Sequence, residues 1–340
     1  DNAPQINIDG AKLALAEIST LEKLYLVGRE DELRAACKEA GILDDARVEI
    51  VHAPEVVEME DSGLDALRKK RNSSMSVAVD LVKNGTCDAV LSAGNTGAAV
   101  AASTIKLRLL PGVERAGIVS PLPSVHGYVL VSDTGANPDA KPRHLVAYAV
   151  MSALMARYIY DRPNPNVGVM SNGTEDCKGS EFSKEVYRIL RSLADAEVLP
   201  FNFMGNCEGH DLFETELDVA VTDGFTGNVL LKSVEATAKA FAHWLKAGIK
   251  ASPMAMLGAM GMRGVFKKIG KQMSADTIGG CPLMGVRGVS IIAHGSANGT
   301  AILNAIRMAD GMCRNNVNDR IVAAMERINE EMKKIAPAAE

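Results

Sequence analysis

The stretch DAVLSAGNTGAAVAA, from Asp88 to Ala102, joins a short apolar run to a turn of glycines and small polar residues. Glycines let a backbone approach a ligand closely, and the free N–H groups at the start of a helix attract an anion. Such a turn can hold phosphate or a substrate carbonyl, although similar turns also occur without a ligand. The candidate binding residues here are Ser92, Gly94, Asn95, Thr96 and Gly97.

A second stretch, DVAVTDGFTGNVLLK from Asp218 to Lys232, repeats the pattern D-x-x-x-[ST]-x-G-x-T-G. The two stretches align without a gap, so each predicts a strand, a turn and the start of a helix. Two such units predict two facing sites for an anion or a carbonyl group on one sheet. The candidate binding residues of the second turn are Asp223, Gly224, Thr226, Gly227 and Asn228.

Ionisable and amide side chains follow other apolar runs, in the loops where open α/β sheets bind ligands. Lys178, in the loop GTEDCKG, is a cation suited to an anionic substrate, and the alternative is an ordinary surface lysine. His294 begins the turn HGS and is either a site residue or a structural histidine. The candidates from the remaining loops are Asp133, Asn137, Lys141, Thr174, Glu175 and Asn206.

Apolar runs alternate with helical patterns along the chain, which predicts strands and helices in turn. This alternation is typical of a three-layer α/β/α protein with a mostly parallel sheet and one functional edge. The apolar spacing over 145–160 is typical of core or dimer packing. We expect residues 1–340 to form one unit, with strands over 23–27, 48–52, 89–91, 117–120, 127–131, 166–170, 219–222 and 289–293, and helices over 8–18, 31–40, 75–83 and 145–160.

Composition argues against several classes of protein. The formal net charge of −5 disfavours a dedicated nucleic-acid binder. Six cysteines without a C-x-x-C pair disfavour a zinc site and a disulfide framework, and they indicate a reduced, cytoplasmic protein. No apolar run reaches the roughly 18 residues of a spanning helix. The missing glycine-rich dinucleotide, P-loop and G-x-S-x-G motifs weaken dinucleotide-binding, P-loop kinase and serine hydrolase assignments.

The segment 236–275 contains no aspartate or glutamate, but it contains five methionines and several lysines. Methionine-rich helices adapt to irregular apolar partners, and neighbouring cations favour anionic surfaces. We expect a basic helical excursion that contacts a membrane or an acidic protein, with a flexible hairpin at a dimer interface as the alternative. The expected contact residues are Lys246, Lys250, Met256, Met260, Arg263, Lys267 and Lys268.

Six motifs occur in order along essentially the whole chain: RKKRNSSM, SAGNTGA, DTGANPDAKP, GTEDCKG, TDGFTGNVLLK and GGCPLMGV…AHGS. Together they resemble the acyl-ACP:phosphate acyltransferase (PlsX) family. The resemblance implies a fold similar to phosphotransacetylases and isocitrate-dehydrogenase-type proteins. It also implies a homodimer that associates peripherally with the membrane. The implied reaction transfers a fatty acyl group from acyl-[acyl carrier protein] to inorganic phosphate, which gives acyl phosphate for phospholipid synthesis.

The sequence departs from the family pattern in two places. The family's first strand and its Gly-Gly-Asp turn, which precede the equivalent of Asn2 to Pro4, are not in this numbering. Cys177 and Cys281 stand where a Lys-like and a small residue are expected, so neither cysteine is assigned a catalytic role.

The resemblance implies direct attack of phosphate on the thioester, with no covalent enzyme intermediate, metal or cofactor. A thiolate whose pKa is about 8.5 leaves with little protonation. The enzyme must orient phosphate and stabilise an oxyanion, with Lys178 as the cation and Asp133, Glu175 or His294 as proton shuttle or orienting group. Three alternatives stay open: a phosphotransacetylase acting on acyl-CoA, an oxidoreductase of the isocitrate dehydrogenase fold, and a non-catalytic adaptor between carrier protein and membrane.

Overall fold

The computed structural model describes residues 3–58, 60–272, 274–295 and 297–335. Its ten strands are β1 Leu24–Gly28, β2 Val48–His52, β3 Ala89–Ser92, β4 Gly117–Ser124, β5 Gly127–Ser132, β6 Asn166–Met170, β7 Asn202–Cys207, β8 Val219–Val221, β9 Cys281–Met284 and β10 Val289–Ile292. Strands β1 and β2 pair with each other, and the other eight form one sheet in the order β3-β10-β9-β4-β5-β8-β6-β7.

Fourteen α-helices connect and cover the strands within the described residues. They are α1 Gln5–Glu17, α2 Glu30–Ala40, α3 Gly63–Lys69, α4 Ser74–Lys83, α5 Thr96–Ala102, α6 Pro142–Ile159, α7 Glu181–Asp195, α8 Asp211–Glu214, α9 Gly224–Lys250, α10 Pro253–Gly261, α11 Arg263–Gln272, α12 Ala275–Ile278, α13 Gly299–Arg314 and α14 Val317–Ile335. A π-helical turn, Ser103–Leu107, follows α5.

The strands of the large sheet run in two opposite directions. Strands β3, β10 and β4 point one way, while β9, β5, β8, β6 and β7 point the other way. The pairs β3–β10, β5–β8, β8–β6 and β6–β7 are parallel and the other three pairs are antiparallel, so the predicted mostly parallel α/β fold is confirmed.

The antiparallel pairs and strand β9 were not predicted. Only Val125 and His126 connect β4 to β5, and so short a connection allows only an antiparallel hairpin. Strand β9 has four residues and contains Pro282, a residue that lowers the strand propensity of any run. Apolar alternation along a chain shows where strands lie, but it does not show their direction.

Helix α6 lies at the centre of the molecule. All residues from His144 to Ala156 are buried, and they pack between the sheet and helices α7, α13 and α14. Intramolecular core packing therefore accounts for the apolar spacing of this helix. Burial on all sides fixes the position of its first turn, which borders the site described below.

The predicted excursion forms helices in the part of the chain that the structure describes. Helix α9 buries only Gly224 and Gly227, and α10 has no buried residue. No helix among the described residues combines the length and hydropathy needed to cross a membrane.

Candidate active site

Four neighbouring strands, β5, β8, β6 and β7, are parallel, so their carboxyl ends share one edge of the sheet. A cleft of about 250 Å³ opens at this edge. Leu145 of α6, Ser183 of α7 and Thr226 of α9 line it, so the first turns of three helices meet there. The start of a helix carries partial positive charge, which favours an anion wherever an acidic cap does not offset it. Its polar lining residues are Ser171, Asn172, Ser180, Ser183, Thr222, Asp223 and Thr226.

The α7 side of the cleft has a neutral cap. The Ser180 Oγ atom accepts a 3.2 Å hydrogen bond from the backbone N–H of Ser183. Asn172 Oδ1 accepts one of 2.9 Å from the Gly179 N–H, which fixes the loop before the helix. The buried Ser171 Oγ has no hydrogen-bond partner among the described residues. Hydroxyl and amide groups on this side can donate to a bound anion.

The α9 side carries a carboxylate instead. Asp223 caps the helix by accepting 2.9 Å and 2.7 Å hydrogen bonds from the N–H and Oγ1 of Thr226. The Thr226 donors are therefore occupied, and a negative charge stands at this helix start. The anion-binding groups of the cleft are concentrated at α7 rather than at the turn singled out by the sequence repeat.

Asp133 organises the loop after β5. Its side chain is fully buried and accepts hydrogen bonds of 2.7–3.0 Å from the backbone N–H groups of Ile118, Gly135, Ala136 and Asn137. Burial raises the pKa of this carboxyl, and the backbone donors act against that shift. Both carboxylate oxygens are engaged, so the geometry suits a structural anchor better than a proton shuttle.

The glycines of the second turn allow close packing between α9 and this loop. A Cβ atom on Gly224 would lie 2.7 Å from the carbonyl oxygen of Asn137, and one on Gly227 would overlap the carbonyl oxygen of Asp133. Asn228 Nδ2 donates to the Thr134 carbonyl at 3.1 Å. These residues fasten α9 to the loop, so packing alone explains their types.

Asn137 and Lys141 lie further along the same loop. Asn137 Nδ2 donates to the carbonyl of Ala116 and, at 2.8 Å, to the hydroxyl of Tyr148. Lys141 is the N-cap residue of α6, and its side chain is exposed. Lys141 is therefore available to a ligand, whereas Asn137 serves the fold.

The loop after β6 places an exposed cation beside the cleft. Thr174, Glu175 and Lys178 are all exposed, and Lys178 directly precedes Gly179, which lines the cleft. The Nδ2 of buried Asn206 donates to the Glu175 carbonyl at 2.8 Å and holds the loop against β7. Lys178 thus adjoins a lining residue of the cleft, on a loop that Asn206 anchors at the Glu175 carbonyl.

The first repeat lies elsewhere, so the prediction of two facing sites is wrong. Four strands separate β3 from β8, a distance of about 24 Å at ordinary strand spacing. The two strands also run in opposite directions, so their carboxyl ends do not share an edge. The predicted site residues that lie on the β3–β10 side of the sheet, away from the cleft, are Ser92, Gly94, Asn95, Thr96, Gly97 and His294.

Within the first repeat, Asn95 has a structural task. Its Oδ1 caps α5 by accepting from the Ala98 N–H at 2.9 Å, and its Nδ2 donates to the carbonyls of Glu58 and Asp61. The two repeats also differ at this point, because α9 is capped by Asp223 while the gap-free partner of Asn95 is Phe225.

Several lining residues were missed at the level of the sequence. Ser171, Ser180 and Ser183 lie within or just after the segment 171–181, from which the sequence predicted only Thr174, Glu175 and Lys178 as site residues. A serine before a helix that begins with glutamate is a recognisable cap signal, and it marked the start of α7.

Comparison with known proteins identifies the family of this chain. A family model described as "Fatty acid synthesis protein" matches residues 1–320. A protein of Akkermansia muciniphila named phosphate acyltransferase is 60% identical over 96% of this chain and 94% of its own length. One of the same name from a Geobacter species is 42% identical over 97% of this chain and 90% of its own length.

Solved structures show the same fold at low identity. A phosphotransacetylase from Streptococcus pyogenes superposes with a TM-score of 0.57 and 15% identity, covering 92% of this chain and 91% of that one. The EutD phosphotransacetylase from Staphylococcus aureus gives a TM-score of 0.52 and 15% identity, over 90% of this chain and 99% of that one. With its full-length relatives and its matching family model, this chain belongs to the fatty acid synthesis protein family of phosphate acyltransferases.

Proposed function

We propose that this enzyme transfers an acyl group from acyl carrier protein to inorganic phosphate, giving acyl phosphate and free carrier protein. The observation that carries the proposal is the cleft where the first turns of α6, α7 and α9 meet. The start of α7 within this cleft suits a phosphate dianion, because a helix N-terminus with a neutral cap and nearby hydroxyl donors stabilise negative charge. The names of the relatives support the same reaction class.

Phosphate is placed at the start of α7, where the cap is the neutral Ser180. The side chains proposed to contact it are those of Ser171, Asn172 and Lys178, with Lys141 approaching from α6. Lys178 contributes a positive charge at the rim and orients the nucleophile. The carboxylate of Asp223 keeps phosphate away from the start of α9 through like-charge repulsion.

A phosphate oxygen attacks the thioester carbonyl carbon, forming a C–O bond as the C–S bond breaks. The thiolate leaves with the bonding electron pair, and its pKa of about 8.5 makes protonation unnecessary during the step. The protein's contribution is to hold phosphate near the carbonyl and to stabilise the oxyanion. Glu175, exposed in the loop between the lining residues Asn172 and Gly179, is the proposed orienting carboxylate, while Asp133 acts indirectly by fixing the loop after β5.

Helices α10 and α11 and the last turns of α9 are the proposed contact surface for the acidic carrier protein and the membrane. Met254, Leu257 and Met260 are 78%, 68% and 75% exposed, and Trp244 is 68% exposed. The cations Lys246, Lys250, Arg263, Lys267 and Lys268 accompany them, and the segment has no acidic residue. This pairing of apolar and basic side chains suits an anionic partner at a lipid surface. A homodimer at the membrane is part of the proposal.

An acyl-transfer assay with palmitoyl carrier protein, with and without inorganic phosphate, tests the function. Acyl phosphate trapped as hydroxamate, formed only with phosphate and carrier protein, is the expected result. Product from palmitoyl-CoA but not from the carrier would favour the phosphotransacetylase alternative. Carrier binding without any product would favour a non-catalytic adaptor.

A further inference from the structure

His144 lies in the first turn of α6, beside the cleft, and only 6% of its surface is exposed. Its Nδ1 accepts a 3.0 Å hydrogen bond from the backbone N–H of Lys141, and its Nε2 lies 3.5 Å from Oε2 of Glu114. An amide N–H only donates, so Nδ1 carries no proton. The ring proton therefore sits on Nε2, facing the carboxylate, and the ring is neutral in a single tautomer.

The same contacts clamp the loop that leads from β5 to α6. The short segment before β4 holds this loop at two points, since the Ala116 carbonyl accepts from Asn137 and the Glu114 carboxylate faces His144. Glu114 also forms a 2.8 Å ion pair with Arg143. The ring of His144 thus links the end of the loop, the start of α6 and the segment before β4.

We propose that His144 is a positioning residue for phosphate, whose neutral ring holds Lys141 and the start of α6 in place beside the cleft. The inference rests on the proposed function and adds to it a residue that does not touch the substrate. Protonation of the ring would place an N–H at Nδ1, opposite the Lys141 N–H. The cap would then be lost and the loop released.

The surroundings of the ring set the direction of its pH response. Burial lowers the pKa of His144 below its ordinary 6.5, Glu114 opposes this shift, and Arg115 and Arg143 reinforce it. Because the folded pKa is lowered, the unfolded chain takes up the proton more readily than the folded one. The stability from the neutral ring is complete above pH 6.5 and is lost as the pH falls through the lowered pKa.

The test compares His144→Gln with His144→Ala by the KM for inorganic phosphate, measured below and above pH 6.5. Glutamine at this helix position accepts from the N-cap N–H and does not titrate, so it should restore binding and remove the acid sensitivity. Alanine offers no acceptor and should raise the KM about three- to tenfold at every pH, with kcat less affected. Ratios to the unsubstituted enzyme cancel the titration of phosphate itself.

His52 offers a matched control, because its Nδ1 accepts a 3.3 Å hydrogen bond from the Glu30 N–H at the start of α2, away from the cleft. His52→Ala should leave the phosphate KM unchanged. An unchanged phosphate KM in His144→Ala would overturn the proposal. So would a rise of the phosphate KM at acid pH that is as large in His144→Gln as in the unsubstituted enzyme.

Imidazole ¹⁵N chemical shifts of His144 give a readout that does not depend on activity. The expected signature at neutral pH is the Nε2–H tautomer, and an Nδ1–H signature would overturn the cap. If the unsubstituted chain makes no acyl phosphate, the proposed function fails and phosphate positioning fails with it. The ¹⁵N shifts then still decide whether the cap exists, so the two failures are distinguishable.

Discussion

At the scale of single residues, glycines and polar residues of the candidate turns serve packing and capping. Gly224 and Gly227 let α9 approach the loop after β5, and Asp133 gathers the backbone N–H groups of that loop. Asn95 caps a helix on the other half of the sheet. A glycine-rich turn therefore indicates close approach, but the partner here is the protein's own backbone.

Gly227→Ala should destabilise the fold by about 1–3 kcal/mol, because the new methyl group would overlap the backbone of Asp133. Gly248 in the same helix is the control, since an added Cβ there would meet no described atom within 4 Å. Gly248→Ala should stabilise by about 0.5–1 kcal/mol through helix propensity. Thermal unfolding followed by circular dichroism measures both changes. Equal effects of the two substitutions would contradict the packing role.

Lys178→Ala should raise the KM for inorganic phosphate about tenfold, because it removes one charge-assisted contact. Such a contact contributes about 1.4 kcal/mol, which corresponds to a factor of ten. The control is Lys184→Ala, which removes a half-buried lysine that pairs with Glu181 on α7 at 3.2 Å. Steady-state kinetics at varied phosphate measure both variants. An unchanged phosphate KM in Lys178→Ala would remove this residue from the proposed site.

At the scale of elements, the site is a meeting of helix starts at one sheet edge. The carboxyl ends of β5, β8, β6 and β7 bring α6, α7 and α9 together, and their caps differ in charge. Ser180 leaves the α7 end open to an anion, while Asp223 occupies the α9 end. In the proposed function, the charge of the cap decides which helix end binds phosphate.

Ser180→Ala should cost about 1 kcal/mol of stability and should also weaken phosphate binding, because the cap orders the first turn of α7. Ser62 caps α3 by accepting from the Asp65 N–H at 3.4 Å, and α3 does not border the cleft. Ser62→Ala should cost a similar amount of stability with no change in phosphate KM. Paired denaturation and kinetic measurements separate the two effects, and a parallel loss of binding in both variants would argue against the α7 site.

At the scale of the whole molecule, the enzyme combines a buried core around α6 with a helical segment that has almost no core of its own. The cleft lies beside α6, whose burial keeps its first turn in place. Helix α10 buries no residue, and its methionines face outward. The proposed function places catalysis beside the buried core and partner contact on the exposed helices.

Replacing Lys246, Lys267 and Lys268 together by Gln should weaken binding of acyl carrier protein about tenfold at low salt, because complementary charges steer and hold such a complex. Added salt should likewise weaken carrier binding by the unsubstituted enzyme, because exposed charges are screened beyond about 10 Å at 0.1 M ionic strength. Fluorescence anisotropy of labelled carrier protein measures the affinity. A triple variant with Lys23, Lys333 and Lys334 changed to Gln controls for net charge, and equal losses in both would contradict a localised surface.

The sequence by itself determined the class of fold, most strand positions and the loops that carry polar side chains. Local physics explains this, since apolar periodicity and helix caps depend on neighbours in the chain. Strands β2 and β6 begin and end where the apolar pattern predicts. The order of the six motifs along the chain was also enough to indicate the family.

Only the tertiary structure decided which loops meet. The direction of β3 against β8 depends on three antiparallel pairs within the sheet, and no local pattern encodes them. For that reason Ser92 and His294 lie apart from Thr226, while Ser171, Ser180 and Thr222 share a cleft. Long-range strand pairing places the helix starts, and their placement determines where an anion can bind.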